Sequence, residues 1–382
     1  MANATRIEQL RRQRRKRKMI RSLIILGIVI ILTGIVVFLW HNQKVQDELK
    51  GYVDGLSSEK SFPRSLPVGD LIGLYEMDNN CVVLTQSNFA LFDSGGAQIF
   101  DTPHNLTKAR VSANKERIAL FGRGGKEVTI RLKDTDLYKK SFDYPITTAV
   151  LSPKNKLAVV TGSQSSAAVV TVFDPQLEEL YRYSSAAGFV SDVVFSPDES
   201  RMAVCSVNAQ DGRMISAVTI FQFDQEEPLG RYELPDELIL SAVYKKGEIK
   251  LIGEKRALSI DEGGQEKAVY DYADQKLYHY SDAGERTALI LGGSKEDIDN
   301  KLVLLDQNKQ ASKEVVLEQA VKQLTVQNDR IYLLTDEKIL CYNMDGELVK
   351  EIGLERPLQK ILVTANETIY AADASNILKV QQ

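Results

Sequence analysis

Two hydrophobic patterns divide the chain. From Ser22 to Trp40, nineteen residues (SLIILGIVIILTGIVVFLW) run without a charge or a proline. Coiled at about 1.5 Å per residue, such a run comes close to the ~30 Å hydrocarbon core of a bilayer. A helix also satisfies its own backbone polar groups in lipid. From Phe62 onward the pattern changes to short runs of Val, Ile, Leu, Tyr and Phe separated by Gly, Asp, Asn and Ser, which predicts strands and turns. Between the two, His41–Lys60 is polar and carries Gly51, Gly55, Ser57 and Ser58, which predicts a short helical continuation and then a flexible stalk.

The strand region repeats. VSANKERIALF from Val111, LSPKNKLAVV from Leu151 and FSPDESRMAVC from Phe195 share one plan, a strand end, a polar turn and an apolar strand; LTVQNDRIYLL from Leu324 and LVTANETIYAA from Leu362 follow it. One apolar position in the second strand of each unit falls at Val82, Ile118, Leu157, Met202, Ile249, Thr287, Ile331 and Ile369, seven steps averaging 41 residues. A second series marks the end of each third strand: Asp93, Asp134, Asp174, Asp224, Asp261, Asp306 and Asp345, with a mean step of 42. Aspartate has a local use there, because its carboxylate can accept from backbone N–H groups of the following turn. Two markers with one period near 40 in an all-strand region predict an all-β fold, a β-propeller of about eight blades, with seven as the alternative. The last unit stops on its third strand, so residues 61–68 are expected to supply the missing fourth and close the ring, removing two open edges.

Ser152-Pro153-Lys154 and Ser196-Pro197-Asp198, each followed by an apolar strand, resemble the SPDG-type turns of WD40-like and TolB-like propellers, although no WD dipeptide or GH signature is present. In layout the whole chain resembles uncharacterised membrane-anchored propeller proteins of Gram-positive bacteria. That resemblance implies a fold and a location, and it implies no activity.

Charge sharpens the location. The first 40 residues hold nine Lys or Arg and one Glu, a net +8, and the remainder, with 39 bases and 51 acids, carries −12. Arg11, Arg12, Arg14, Arg15, Lys16, Arg17, Lys18 and Arg21 just ahead of the apolar run predict a cytoplasmic N-terminus and contact with anionic lipid. The run is longer than a signal-peptide core and ends Phe38-Leu39-Trp40, without the small residues of a cleavage site, so an uncleaved signal anchor is expected, with Ser22 and Trp40 at its ends. Trp40 suits the interfacial belt. Gly27 and Gly34 stand seven apart, which is not the spacing of a tight helix dimer. The expected organisation is a basic tail (1–18), a transmembrane segment (19–40), a stalk (41–60) and an extracytoplasmic propeller (61–382).

Catalytic patterns are sparse. Cys81, Cys205 and Cys341 lie in apolar runs without zinc spacing and are expected to be buried free thiols, one pairing between them being left open. His41, His104 and His279 form no HxH or HExxH pair. Gly122-Arg123-Gly124-Gly125-Lys126 is expected to be a hairpin turn, not a phosphate loop, because no helix follows it. Residues 296–300 (EDIDN) lack the spacing of a calcium loop. Tyr144, Tyr244, Tyr278 and Tyr280 either line a funnel or pack within strands. Neither a cofactor nor a metal is expected, and an acidic domain argues against nucleic acid. The resulting expectation is a non-catalytic scaffold in the cell membrane that meets an envelope protein or wall polymer. The alternatives are a ligand-binding sensor and a propeller enzyme acting on carbohydrate or peptide.

Overall fold

Eight four-stranded antiparallel sheets make up the computed structural model, which describes residues 62–380 apart from 134, 187, 283–285 and 294–299. No helix occurs among the described residues. The expected anchor and basic tail, from Arg11 to Trp40, and the stalk lie outside them. Seven sheets are consecutive meanders: blade 1 spans Leu71–Pro103, blade 2 Ala109–Ser141, blade 3 Ile146–Ser185, blade 4 Phe189–Pro235, blade 5 Ile239–Asp271, blade 6 Lys276–Leu317 and blade 7 Gln323–Gly353. Blade 8 takes three strands from Lys360–Val380, and its fourth is β1 (Arg64–Ser65), paired with β32 (Asn376–Val380). Ring closure by residues 61–68 and the count of eight are both realised, and the seven-blade alternative is set aside.

We letter the strands of each blade a to d from the axis outward. Every residue of the period-41 series falls on a b strand, from Val82 in blade 1 to Ile369 in blade 8. These strands are apolar nearly throughout because a neighbouring blade covers each face, which removes the half-buried alternation of an ordinary sheet. Ile118–Gly122, Leu157–Thr161 and Thr287–Gly292 are buried along their whole length. The d strands are mostly exposed and form the rim. The core is accordingly divided into eight apolar clusters, one between each pair of adjacent blades. The cluster that closes the ring packs Cys81, Val83 and Phe92 of blade 1 against Tyr370 and Ile377 of blade 8, with Phe62 and Leu66 beside them.

Because each blade is a meander, a–b and c–d turns share one face, here called lower, while b–c turns and d–a connections share the upper face. The aligned turn segments prove to be connectors on the lower face. Asn114 Nδ2 of blade 2 donates to Ser152 O (2.7 Å) in the turn of blade 3. The Lys154 N–H of blade 3 donates to Glu199 Oε1 of blade 4 (2.6 Å), and Arg201 of blade 4 reaches Glu262 of blade 5 (3.1 Å). Asn328 Nδ2 of blade 7 donates to Ala365 O of blade 8 (2.7 Å), whose own N–H donates to Glu76 of blade 1 (2.8 Å). The repeat thus reappears in sequence because one turn must meet the next.

The aspartate series holds in part. Asp93, Asp174 and Asp306 each accept two N–H groups of the following turn through Oδ1, and Asp261 accepts one from Gln265. In blade 7 the same place belongs to Asn343, which accepts from the N–H groups of Asp345 and Glu347, so Asp345 is a passenger in the turn that Asn343 organises. Asp224 accepts from Gln222 Nε2 instead, beyond the end of an unusually long strand. Asp134 lies outside the described residues.

Asp373, on the upper turn of blade 8, plays an equivalent part between strands b and c. Its burial would raise its carboxyl, but donors from Ser375 N, Asn376 N and Arg356 outweigh that and hold it below the ordinary carboxylate range. A depressed carboxyl stabilises the fold above its unfolded value, and the contribution fades as pH falls through the lower folded value. Urea midpoints measured from pH 7 to pH 2 should therefore show the gap between wild type and Asp373→Asn narrowing on the acid side. A gap that stays constant over that range would exclude the assignment.

Candidate interaction face

Residues with ordinary chemical potential are mostly spent on structure. Cys81, Cys205 and Cys341 are buried and free, in blades 1, 4 and 7, so no pair of them is bridged. Burial pushes all three thiols up, away from reactivity. His104 Nε2 faces Thr85 O at 3.1 Å while Nδ1 accepts from Leu106 N, and His279 Nε2 faces Val321 O at 2.8 Å. Gly122–Lys126 joins the second and third strands of blade 2 as a hairpin. No group of three or more His, Cys, Asp or Glu fit to hold a metal occurs among the described residues. The acidic stretch 296–299 lies outside them.

The axis is lined by the a strands, and these contain only two carboxylates, Glu76 and Asp192. Glu76 is engaged in the lower-face turn of blade 8. Burial raises the carboxyl of Asp192, and a hydrogen bond from Val193 N opposes that shift. Tyr280 is raised by burial first and by the charge of Asp192 second, and its hydroxyl donates to Leu240 O (3.0 Å). Of the other tyrosines named from sequence, Tyr244 donates to Glu262 (2.7 Å) and Tyr278 to Gly293 O (3.0 Å).

The upper face is different. Tyr144, Phe189 and Leu240 stand at or just before the first strands of blades 3, 4 and 5, and they are 39%, 72% and 41% exposed. Each is displayed by a fixed connection. For Tyr144, Gly162 N donates to Pro145 O (2.9 Å) and Phe142 N to Lys126 O (2.8 Å). Beside Phe189, Ser185 Oγ donates to Gly188 O (3.0 Å). Ahead of Leu240 sits Glu237, a fully buried carboxylate that accepts from the Lys255 and Arg256 N–H groups and pairs with Arg256 Nε at 3.0 Å. This lock requires glycine at 253, since a Cβ there would lie 2.2 Å from Glu237 Oε1.

Beside this arc rises a hairpin. Strands β15 (Arg201–Gln210) and β16 (Arg213–Gln222) are ten residues each, paired to their ends, while their neighbour β14 (Phe189–Phe195) stops opposite Val207. The two-residue turn Asp211-Gly212 has φ of 51° and 77°, the left-handed pair that a tight hairpin needs. Residues 208–213 are exposed on this projection. Between the blades the rim adds grooves: one of about 410 Å³ between blades 2 and 3 includes Tyr144, Lys140 and Arg182, and one of about 370 Å³ between blades 1 and 2 includes His104, Arg131 and Lys139.

The sequence of residues 56–381 matches the model of a family described as "Family of unknown function (DUF5711)". The chain belongs to the DUF5711 family. No curated protein matches it in sequence. Among solved structures, the DUF5711 chain is similar to Sqt1 of Saccharomyces cerevisiae, with a TM-score of 0.63 and 12% identity over 85% of this chain and 100% of that one. It is also similar to BamB of Moraxella catarrhalis (TM-score 0.55, 11% identity, 84% and 100%) and to apo AztD of Citrobacter koseri (0.53, 11%, 74% and 86%). At these identities the likeness carries the propeller fold and nothing finer. It agrees with the WD40-like resemblance of the Ser-Pro turns.

Proposed function

We propose that this DUF5711 chain is a non-catalytic interaction module, held at a membrane by Ser22–Trp40 with its propeller outside the cytoplasm, and that its partner is another envelope protein. The observation that carries the interaction part is the exposed arc of Tyr144, Phe189 and Leu240 on adjacent blades beside a projecting hairpin; further exposed apolar residues, such as Leu180, Val316 and Val349, lie on the outermost strands of the rim. The membrane part is supported by the uncharged run and the +8 tail ahead of it.

The buried thiols offer a direct test of location. With all three native cysteines enclosed, a Gln210→Cys variant places one reactive thiol on the hairpin. A membrane-impermeant maleimide added to intact cells is expected to label this variant and to leave the wild type unlabelled. Labelling that appears only after the cells are lysed would place the propeller inside and end the envelope reading.

A further inference from the structure

Blade 2 carries a cluster of cations on the upper face, and that cluster predicts the partner's chemistry. Blade 2 contributes Lys108 and Arg110 at the start of its first strand and Arg123 in its b–c turn, all exposed. These lie together: Arg123 N donates to Lys108 O (3.2 Å), and the Gly124 N–H two residues before Lys126 donates to Ile146 O of blade 3 (2.7 Å), two residues from Tyr144. The basic sector therefore adjoins the apolar arc directly. Blade 3 continues it with an uncharged b–c turn, Gly-Ser-Gln-Ser-Ser-Ala at 162–167. The other upper-face connections carry both signs: Asp143 stands beside Tyr144, and Asp236, Glu254, Asp274, Asp336 and Glu337 have Lys255, Lys322 and Arg356 among them, so blade 2 is where cations stand together.

We infer that the upper face of blades 2 to 5 binds a segment of another protein in which apolar side chains are followed by aspartates or glutamates. Its apolar residues lie against Tyr144, Phe189 and Leu240, its acidic end meets Lys108, Arg110 and Arg123, and the hairpin of blade 4 walls one side. This rests on the interaction-module reading and gives it a face and a partner chemistry. Charge complementarity selects that occupant. A basic segment would meet three exposed cations on blade 2, and like charges across an interface suppress the wrong partner. An exposed phenylalanine flanked by two further apolar side chains on rigid connections has the makings of a buried anchor, since aromatic residues dominate interface cores.

The test uses the full-length chain in its own membrane, with photoreactive p-benzoylphenylalanine placed singly at Phe189 (upper face), at Lys115 (lower face) and at Val316 (rim). The Phe189 position is expected to give a protein adduct whose crosslinked peptide combines apolar residues with Asp or Glu. In a Lys108→Glu/Arg123→Glu background its yield should fall by about fivefold or more, as removal of complementary charge does, while the urea midpoint is unchanged. An adduct to a second copy of this chain, a peptide without acidic residues, or a yield indifferent to charge reversal each overturns the inference. Adducts at Lys115 or Val316 with none at Phe189 overturn it too but leave the interaction module standing. Silence at all three positions removes both.

Discussion

Replacing Asp282 with alanine is expected to cost the propeller about 3–5 kcal/mol, the scale for breaking a buried ion pair from one side. Asp282 is enclosed at the lower end of blade 6 and lies 3.7 Å from the ammonium of Lys309 and 4.0 Å from that of Lys250 in blade 5. Thr287 connects the set: its hydroxyl donates to Asp282 Oδ1 (2.5 Å) and accepts from Lys309 Nζ (2.6 Å). Lys309 has a side chain with no exposure, and burial already lowers its pKa despite the favourable charge of Asp282. Without the carboxylate, that ammonium is left in a cavity with another lysine nearby. A lower urea midpoint at an unchanged slope would register the loss. The double variant Asp282→Ala/Lys309→Met should recover most of it, because an apolar stem replaces the stranded charge. If the double variant is as unstable as the single, the cost arises from packing and the ion-pair explanation fails.

Deleting the chain through Leu66 should have the next largest effect. The deletion removes β1, the backbone bond from Leu66 N to Ser375 O (2.8 Å) and the Phe62 ring, whose centroid stands 5.6 Å from that of Tyr370. Phe62 and Leu66 are half-buried, so each contributes about 1–2 kcal/mol, below the full-burial range for such side chains. The second consequence is the larger one in practice. The outer edge of β32 loses its partner, and an unpaired edge is a template for another chain. The truncated propeller should therefore melt earlier and sediment as dimers or larger species at concentrations where the closed ring is monomeric. A truncated form that stays monomeric with an unchanged midpoint would show that β1 is dispensable.

The architecture could be read from sequence because its repeat is enforced twice. A b strand buried on both faces must be apolar along its length, which made Val82 and Ile331 equivalent by inspection, and the lower turns must meet their neighbours, which preserved Ser-Pro-Lys-Asn and Ser-Pro-Asp-Glu. Where chemistry allows a substitute, the marker failed: asparagine accepts turn N–H groups as aspartate does, so Asn343 passed unnoticed beside Asp345. The long hairpin carried a usable signal in Asp211-Gly212, flanked by runs too long for an ordinary blade. Of the upper-face arc only Tyr144 stands out in the sequence, since Phe189 and Leu240 read as any strand residues until three blades are placed side by side. Lys309, in the polar turn Asp-Gln-Asn-Lys-Gln, has every local mark of a solvated residue, and only the approach of blade 5 encloses it.

The clasp of the ring also sets how it responds to load. β1 lies antiparallel beside the upper end of β32, with only Arg64↔Ile377 and Ser65↔Asn376 in register, so that the chain entering β1 and the chain leaving β32 both point toward the lower face. A pull between the two ends of the propeller thus opens these pairs in succession, as in a zipper, instead of loading them together in shear. Tension reaching the disc through the chain ahead of Phe62 is felt first by this two-residue clasp, and the seven continuous meanders behind it bear force only after the clasp has parted.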